Sequence, residues 1–310
     1  MTALPSRTEL RAAHERVSPH LHRTPVFTSQ LVDEAVGVPV RLKAESLQKT
    51  GSFKPRGILN KVLAVDTDVV TVSAGNAAAA LAWAGNVAGR KATVVMPESA
   101  SPTKVAACEG YGAEVILRGT VHEAFEHALQ LRDERNLAFV HPFDDPHVVA
   151  GHAGVAFELL EQVPDLGTVI VPVGGGGLIS GIAAGLRAEG HDTEIYGVEP
   201  DGACAMRRSL DRGKPVRLDT VDTIADGLAP PMAGNLNYAI VKEALTDVVT
   251  VGDDWIREAM RLLMSRTKLV VEPSGAVGIA ALLSGAIRPG RPGSVVVVLS
   301  GGNLDAKHLA

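Results

Sequence analysis

The sequence predicts an α/β fold of two three-layer αβα domains with mainly parallel sheets. Three observations carry that prediction. Short apolar runs such as Val69-Val70-Thr71-Val72 and Thr168-Val169-Ile170-Val171-Pro172-Val173 alternate with helical patterns, the joints between them are short, and the alternation runs through twice. Strands that alternate with helices pair in parallel, with the helices covering the faces of the sheet. The chain has 310 residues, 46% hydrophobic, 21% charged and 4% aromatic, which is enough to bury one or two sizeable cores.

Taken in order, Ser6 to Val17 reads as an opening helix, because Ser6 and Glu9 stand in a capping-box arrangement ahead of Leu10, Ala13 and Val17. Val38 to Lys43 reads as a strand that feeds the loop 49–57, and Ile58, Leu59, Val62 and Leu63 carry a helical pattern after it. Strands at 69–72, 92–95 and 114–117 then alternate with helices at 77–88, 102–109 and 121–132, and this unit is predicted as a smaller domain over 68–145. The strand 168–173, the glycines 174–177, a helix through Leu186 and the strand 194–198 begin a second series. Val295 to Leu299 is a late strand able to join that second sheet. The larger domain is therefore predicted as discontinuous, 1–67 with 146–310.

Composition excludes several classes. The formal net charge is −5 and no Lys/Arg run stands out, so no nucleic-acid partner is expected. Cys108 and Cys204 form no CxxC pair and read as reduced thiols of a cytoplasmic protein. Met1 to Pro5 lack the basic and apolar regions of a leader, and no apolar run approaches the roughly 20 residues a membrane span needs. His122 and His127 do not share a helix face, and His141, His147 and His152 show no metal-ligand spacing, so surface or packing roles are expected for them.

Chemistry concentrates in four loops. Lys54 stands between Gly51 and Gly57 and directly before Pro55, where a polar loop opens a helix. Pro suits a first helical turn, and the positive end of a helix lowers the proton affinity of a nearby amine. Such a lysine can serve as a Schiff-base nucleophile, although these nine residues alone leave a solvated loop lysine open. Gly174-Gly175-Gly176-Gly177-Leu178 follows an apolar strand and opens a helix, the arrangement that cradles phosphate on backbone N–H groups. A plain tight turn is one alternative. A dinucleotide site is another, since Glu199 ends the next strand where a ribose-binding acid would sit, but Ser180 occupies the place of the third glycine. Ser73-Ala74-Gly75-Asn76 could hold a carboxylate on its N–H groups and a phenolic oxygen on Asn76, or could be an ordinary helix cap. Ser300-Gly301-Gly302-Asn303 offers a hydroxyl to a ring nitrogen, or is a simple turn.

Together the four loops, KTGSFKPRG, SAGN, GGGGL and LSGGN, in this order and at these separations, resemble the fold type II pyridoxal-phosphate enzymes of the tryptophan synthase β-like kind. The resemblance is closest to the serine/threonine dehydratases, or ammonia-lyases, and the serine racemases. It extends through the segments 141–146, 223–227 and 271–275 and so covers nearly the whole chain. It implies that Lys54 carries pyridoxal 5'-phosphate covalently and acts as the catalytic base, and that Phe53 packs on the ring. It further implies that Asn76 meets the ring hydroxyl, that Gly174, Gly175, Gly176, Gly177 and Leu178 hold the phosphate, and that Ser300 meets the pyridine nitrogen. Ser73, Ala74, Gly75, Asn76 and Ala77 would grip the substrate carboxylate. The implied reaction is α,β-elimination from a β-hydroxy amino acid, L-threonine or L-serine first, to a 2-oxo acid and ammonia by a homodimer. Alternatives are 3-hydroxyaspartate or β-phenylserine as substrate, serine racemisation, a β-replacing synthase or, in another class, a dinucleotide-binding oxidoreductase or a non-catalytic ligand-binding relative.

The chain departs from that pattern at three places. Ala74 stands where racemases carry a serine as second base, so dehydration is expected with little racemisation. Ala77 replaces the usual histidine. Glu199 is present where relatives bind a divalent cation, but position 205 is alanine, so no complete metal pair carries over and Glu199 is read as capping the strand end. The chain stops near the end of the catalytic domains, so neither a regulatory domain nor feedback control is expected, and a catabolic role is.

Overall fold

The computed structural model describes residues 5–304; the residues 1–4 read above for a leader, and the last residues of the proposed larger domain, 305–310, lie outside it. The opening helix α1 (Arg7–Val17) has the reciprocal cap its sequence calls for, Ser6 Oγ accepting the Glu9 N–H and the Glu9 carboxylate accepting the Ser6 N–H. Strand β1 (Val26–Phe27), helix α2 (Gln30–Val36), strand β2 (Val40–Ala44) and helix α3 (Lys54–Leu63) follow. A regular alternation comes next: β3 (Val69–Val72), α4 (Asn76–Ala88), β4 (Ala92–Met96), α5 (Pro102–Gly110), β5 (Glu114–Leu117), α6 (Val121–Glu134) and β6 (Ala138–Phe139). The remainder is α7 (Pro146–His152), α8 (Gly154–Gln162), β7 (Leu166–Pro172), α9 (Gly177–Ala188), β8 (Glu194–Pro200), α10 (Ala205–Arg212), α11 (Asn235–Ala244), β9 (Asp247–Val251), α12 (Asp253–Thr267), α13 (Pro273–Leu283) and β10 (Ser294–Leu299).

Two sheets result. The smaller has the order β5-β4-β3-β6 and is parallel throughout. The larger has the order β1-β2-β10-β7-β8-β9 and is parallel except for β1. Strand β10, last in sequence, lies between β2 and β7, with Val297 opposite both Leu42 and Ile170. Its carboxyl end, Ser300, therefore sits beside the loops that leave β2 and β7, at the sheet edge where open α/β folds bind ligands.

Both faces of the larger sheet are covered. Ile179, Ile182 and Leu186 of α9 pack on one side with Val155 and Leu159 of α8, while Ile256 and Leu263 of α12 and Val277 and Ile279 of α13 pack on the other. On the smaller sheet α4 covers one face and α6 the other. Helix α3 belongs to both halves. Its Ile58, Leu59 and Val62 enter the smaller sheet's core beside Val69 and Leu81, while its first turn crosses α7 so closely that a Cβ at Gly151 would lie 2.2 Å from the Arg56 carbonyl. Glycine at that crossing is a packing requirement, and it holds the start of α3 between the two sheets. Among the described residues no helix is long and apolar enough to cross a membrane, and both cysteines are buried and unpaired.

Candidate active site

The loop before α3 is stitched to the loop after β10. The Phe53 N–H donates to the Ser300 carbonyl at 3.0 Å and the Gly302 N–H to the Gly51 carbonyl at 2.9 Å. Gly51 has φ +74, and a Cβ there would meet Asn303 Oδ1 at 2.3 Å, so a side chain is excluded twice over. Lys54 consequently leaves the first turn of α3 half-buried, its Nζ 2.9 Å from the Pro142 carbonyl and 5.0 Å from the centre of the Phe53 ring. Burial lowers its pKa to about 8, against the opposing charge of Glu272. The sequence argument ascribed that lowering to the helix terminus; in the structure, loss of solvent is the main cause.

The glycine turn sits at the head of α9. Gly176 has φ +94, a conformation costly for other residues, and a Cβ there would lie 2.8 Å from both Asn237 Cβ and Met206 Cε. The Gly175 carbonyl accepts the Gly234 N–H and Asn237 Nδ2, which fixes the turn from outside. Among the described residues the backbone N–H groups of Gly174 to Leu178 meet no protein acceptor, so free donors and a helix N-terminus face the same place. That donor set fits a phosphate, and the half-buried Lys54 amine fits an aldehyde. Substituting Gly176 by alanine is expected to destabilise the protein by about 1–3 kcal/mol through backbone strain. It should also weaken cofactor phosphate binding, read by urea unfolding and cofactor titration; unchanged values in both would remove the cradle assignment.

The remaining predicted residues converge on the same cleft. Asn76, first residue of α4, donates Nδ2 to Glu272 Oε1 at 2.7 Å and accepts Asn303 Nδ2 on Oδ1 at 2.8 Å. Ser300 is buried, its Oγ 3.5 Å from the Ser274 carbonyl. The Gly75 N–H is taken by Ser73 Oγ at 3.1 Å, whereas the N–H groups of Ala74, Asn76 and Ala77 have no acceptor among the described residues. Two site residues lie in segments that the resemblance covers, 141–146 and 271–275, but are given no role there. Phe143 lies against the glycine turn, 2.3 Å from where a Cβ at Gly175 would be, and Glu272 is a buried carboxyl whose pKa burial raises to about 7. His141 Nδ1 accepts the Asp144 N–H and so shapes the loop bearing Pro142 and Phe143. His152 is fully buried against the Phe53 ring at 4.9 Å, and burial holds its pKa well below 6.5, so it is neutral.

Glu199 lies outside this cluster of contacts. Its two oxygens accept the Met206 and Arg207 N–H groups at 2.8 and 2.7 Å and cap α10. Burial pushes its pKa up to about 8. A carboxylate committed to two backbone donors is a poor partner for a ribose or a cation.

Fold and site thus define a two-sheet α/β protein in which a lysine of depressed proton affinity and a helix-head anion cradle are linked by the Pro142–Phe143 segment that touches both. The chain belongs to the pyridoxal-phosphate dependent enzyme family, whose model matches residues 17–301, and pyridoxal phosphate is its cofactor. It is 41% identical to an L-threonine ammonia-lyase of Geobacter sulfurreducens over 98% of this chain and 77% of that one. It is 39% identical to an L-threo-3-hydroxyaspartate ammonia-lyase of a Pseudomonas species over 99% and 98%. Among solved structures, maize serine racemase superposes with a TM-score of 0.95 at 36% identity, covering 99% of this chain and 96% of that one. The fold type II architecture predicted from the four loops is the one observed.

Proposed function

We propose that this protein is an ammonia-lyase that converts a β-hydroxy amino acid, L-threonine or L-serine first, to a 2-oxo acid and ammonia. The observation that carries the reading is the Lys54 amine, half-buried at the head of α3 with a pKa of about 8 and held by the Pro142 carbonyl beside an anion cradle. Bound pyridoxal phosphate supplies an electron sink conjugated to the substrate Cα. The protein's own residues do the rest. Gly174 to Leu178 would seat the phosphate, Ser300 would meet the ring nitrogen and Phe53 would pack on the ring. The free N–H groups of Ala74, Asn76 and Ala77 orient the substrate carboxylate. Lys54 Nζ, as a neutral amine, would take the substrate Cα proton, with the Pro142 carbonyl 2.9 Å away to orient it. Phe143 closes the cleft against water on the cradle side.

Relatives named for threonine and for 3-hydroxyaspartate keep both substrates in the test. Assays with L-threonine and L-serine coupled to lactate dehydrogenase, and with 3-hydroxyaspartate and β-phenylserine read as the dinitrophenylhydrazone of the oxo acid, should yield product from at least one; none from any of them would overturn the lyase reading. Ala74 has no side-chain base to return a proton to the second face. Ala74→Ser is therefore expected to raise D-serine formation by chiral chromatography, and an unchanged yield would remove that argument. Glu199 is occupied in capping α10, which counts against the dinucleotide reading and against a required cation. The division into 1–67 with 146–310 and 68–145, a homodimer and a cytoplasmic location complete the proposal, with subunit number open to sedimentation.

A further inference from the structure

Asn76 is held at both ends, and the chain of contacts that holds it joins three of the four loops of the site to Glu272. Asn303 Nδ2 donates to the Thr50 carbonyl at 2.7 Å and to Asn76 Oδ1 at 2.8 Å, and Asn76 Nδ2 donates to Glu272 Oε1 at 2.7 Å. The Glu272 N–H in turn donates to the Gly301 carbonyl at 3.1 Å. Glu272 is 5% exposed, and its carboxyl is hemmed in by backbone, a Cβ at Gly301 falling 2.3 Å from Oε1. A carboxylate only accepts hydrogen bonds, so whatever faces it must donate. The direction of every amide in the chain follows from that one group.

We propose that Glu272 is a positioning residue for the cofactor: by accepting one hydrogen from Asn76 Nδ2 it orients the amide so that the other Nδ2 hydrogen is the donor offered to the cofactor's phenolic oxygen. This rests on the reading of the site as the cofactor pocket. Without the carboxylate the amide has no reason to keep its Nδ2 end turned this way, and a flipped amide would offer a phenolate an oxygen in place of a donor. The charge of Glu272 is itself set locally. Asp226 faces it from the turn ahead of α11, Lys104 from α5 and Lys54 from α3; Asp226 favours the neutral acid, while the Lys104 charge and the Asn76 bond favour the carboxylate. With its pKa raised to about 7, the carboxylate predominates above that pH and the arrangement loosens below it.

The test is a double-mutant cycle on cofactor binding by apoprotein prepared with hydroxylamine, using wild type, Glu272→Leu, Asn76→Ala and the double variant, with the bound cofactor's absorbance recorded. Glu272→Leu, which removes the acceptor, is expected to weaken pyridoxal phosphate binding roughly tenfold and to shift the absorbance band, the scale of one well-placed hydrogen bond. In the Asn76→Ala background the same change should alter affinity by less than about twofold, because contacts acting through one group do not add. Equal losses in both backgrounds, or no loss in either, would overturn the proposal. Should Glu272→Leu fail to fold, the cycle is run with Asn303→Ala, an exposed side chain holding the other end of Asn76, and additivity there overturns it equally. Borohydride reduction separates the two layers: if Lys54→Ala still takes up reduced cofactor covalently, the pocket reading itself fails whatever the cycle shows.

Discussion

Lys54→Ala is expected to abolish covalent cofactor attachment and to lower oxo-acid formation by at least about four orders of magnitude, since attachment and proton transfer both depend on that amine. The fold should survive, because among the described residues the one hydrogen bond of Nζ is to the Pro142 carbonyl. Reduction with borohydride followed by peptide mass analysis measures the first effect and the coupled assay the second. A cofactor reduced onto another lysine would sink the assignment. The amine also has a pH signature. Only a neutral amine attacks an aldehyde, and burial sets the pKa of Lys54 at about 8 instead of the ordinary 10.5. Capture of cofactor by apoprotein should therefore accelerate as pH rises through about 8 and then level off, and a rise continuing to pH 10 would show a solvated lysine instead.

Arg56→Ala is expected to cost about 3–5 kcal/mol of stability, the penalty for breaking a buried ion-pair network by removing one partner. Arg56 is fully buried and donates Nε to Glu45 Oε2 at 2.7 Å and Nη1 to Glu158 Oε1 at 2.7 Å. Lys43, 0% exposed, completes the cluster by donating to Glu158 and to the Thr24 carbonyl, so two cations face two anions. Taking out one cation leaves Glu45 and Glu158 buried with only Lys43 to offset them. Lysine at position 56 should not rescue, because only the guanidinium fork reaches both carboxylates together. Arg56 itself belongs to the first turn of α3, two residues after Lys54, so cofactor binding should weaken along with the midpoint of urea unfolding. A loss below about 1 kcal/mol would show that water, not the partner charges, solvates these carboxylates.

Much of this molecule is legible in the sequence because the signals are local. The Ser6–Glu9 cap, the alternation from Val69 to Glu134 and the glycine turn before α9 each rest on residues a few positions apart, and those elements form where predicted. Three of the elements not read from the sequence lack such signals. Strands β1 and β6 are two residues each, too short for a period to show. Helix α13 is buried on nearly every side and so has no polar face to mark its turns. The same distinction holds within the site. Lys54, Asn76, Ser300 and the glycines could be assigned roles from their motifs, whereas the partners of Phe143 and Glu272, Gly175 and Asn76, are distant in the chain.

By itself the sequence determined the class of fold, since alternation of strands and helices is a short-range pattern, and the combined resemblance of its four loops pointed to the cofactor. Only the tertiary structure decided that β10 runs between β2 and β7, and that Glu272 meets Asn76 across 196 positions of chain. It also gathered Thr24, Lys43, Glu45, Arg56 and Glu158 into one buried cluster. These are long-range pairings, selected by which surfaces can be desolvated together, and no local pattern of residues encodes that selection.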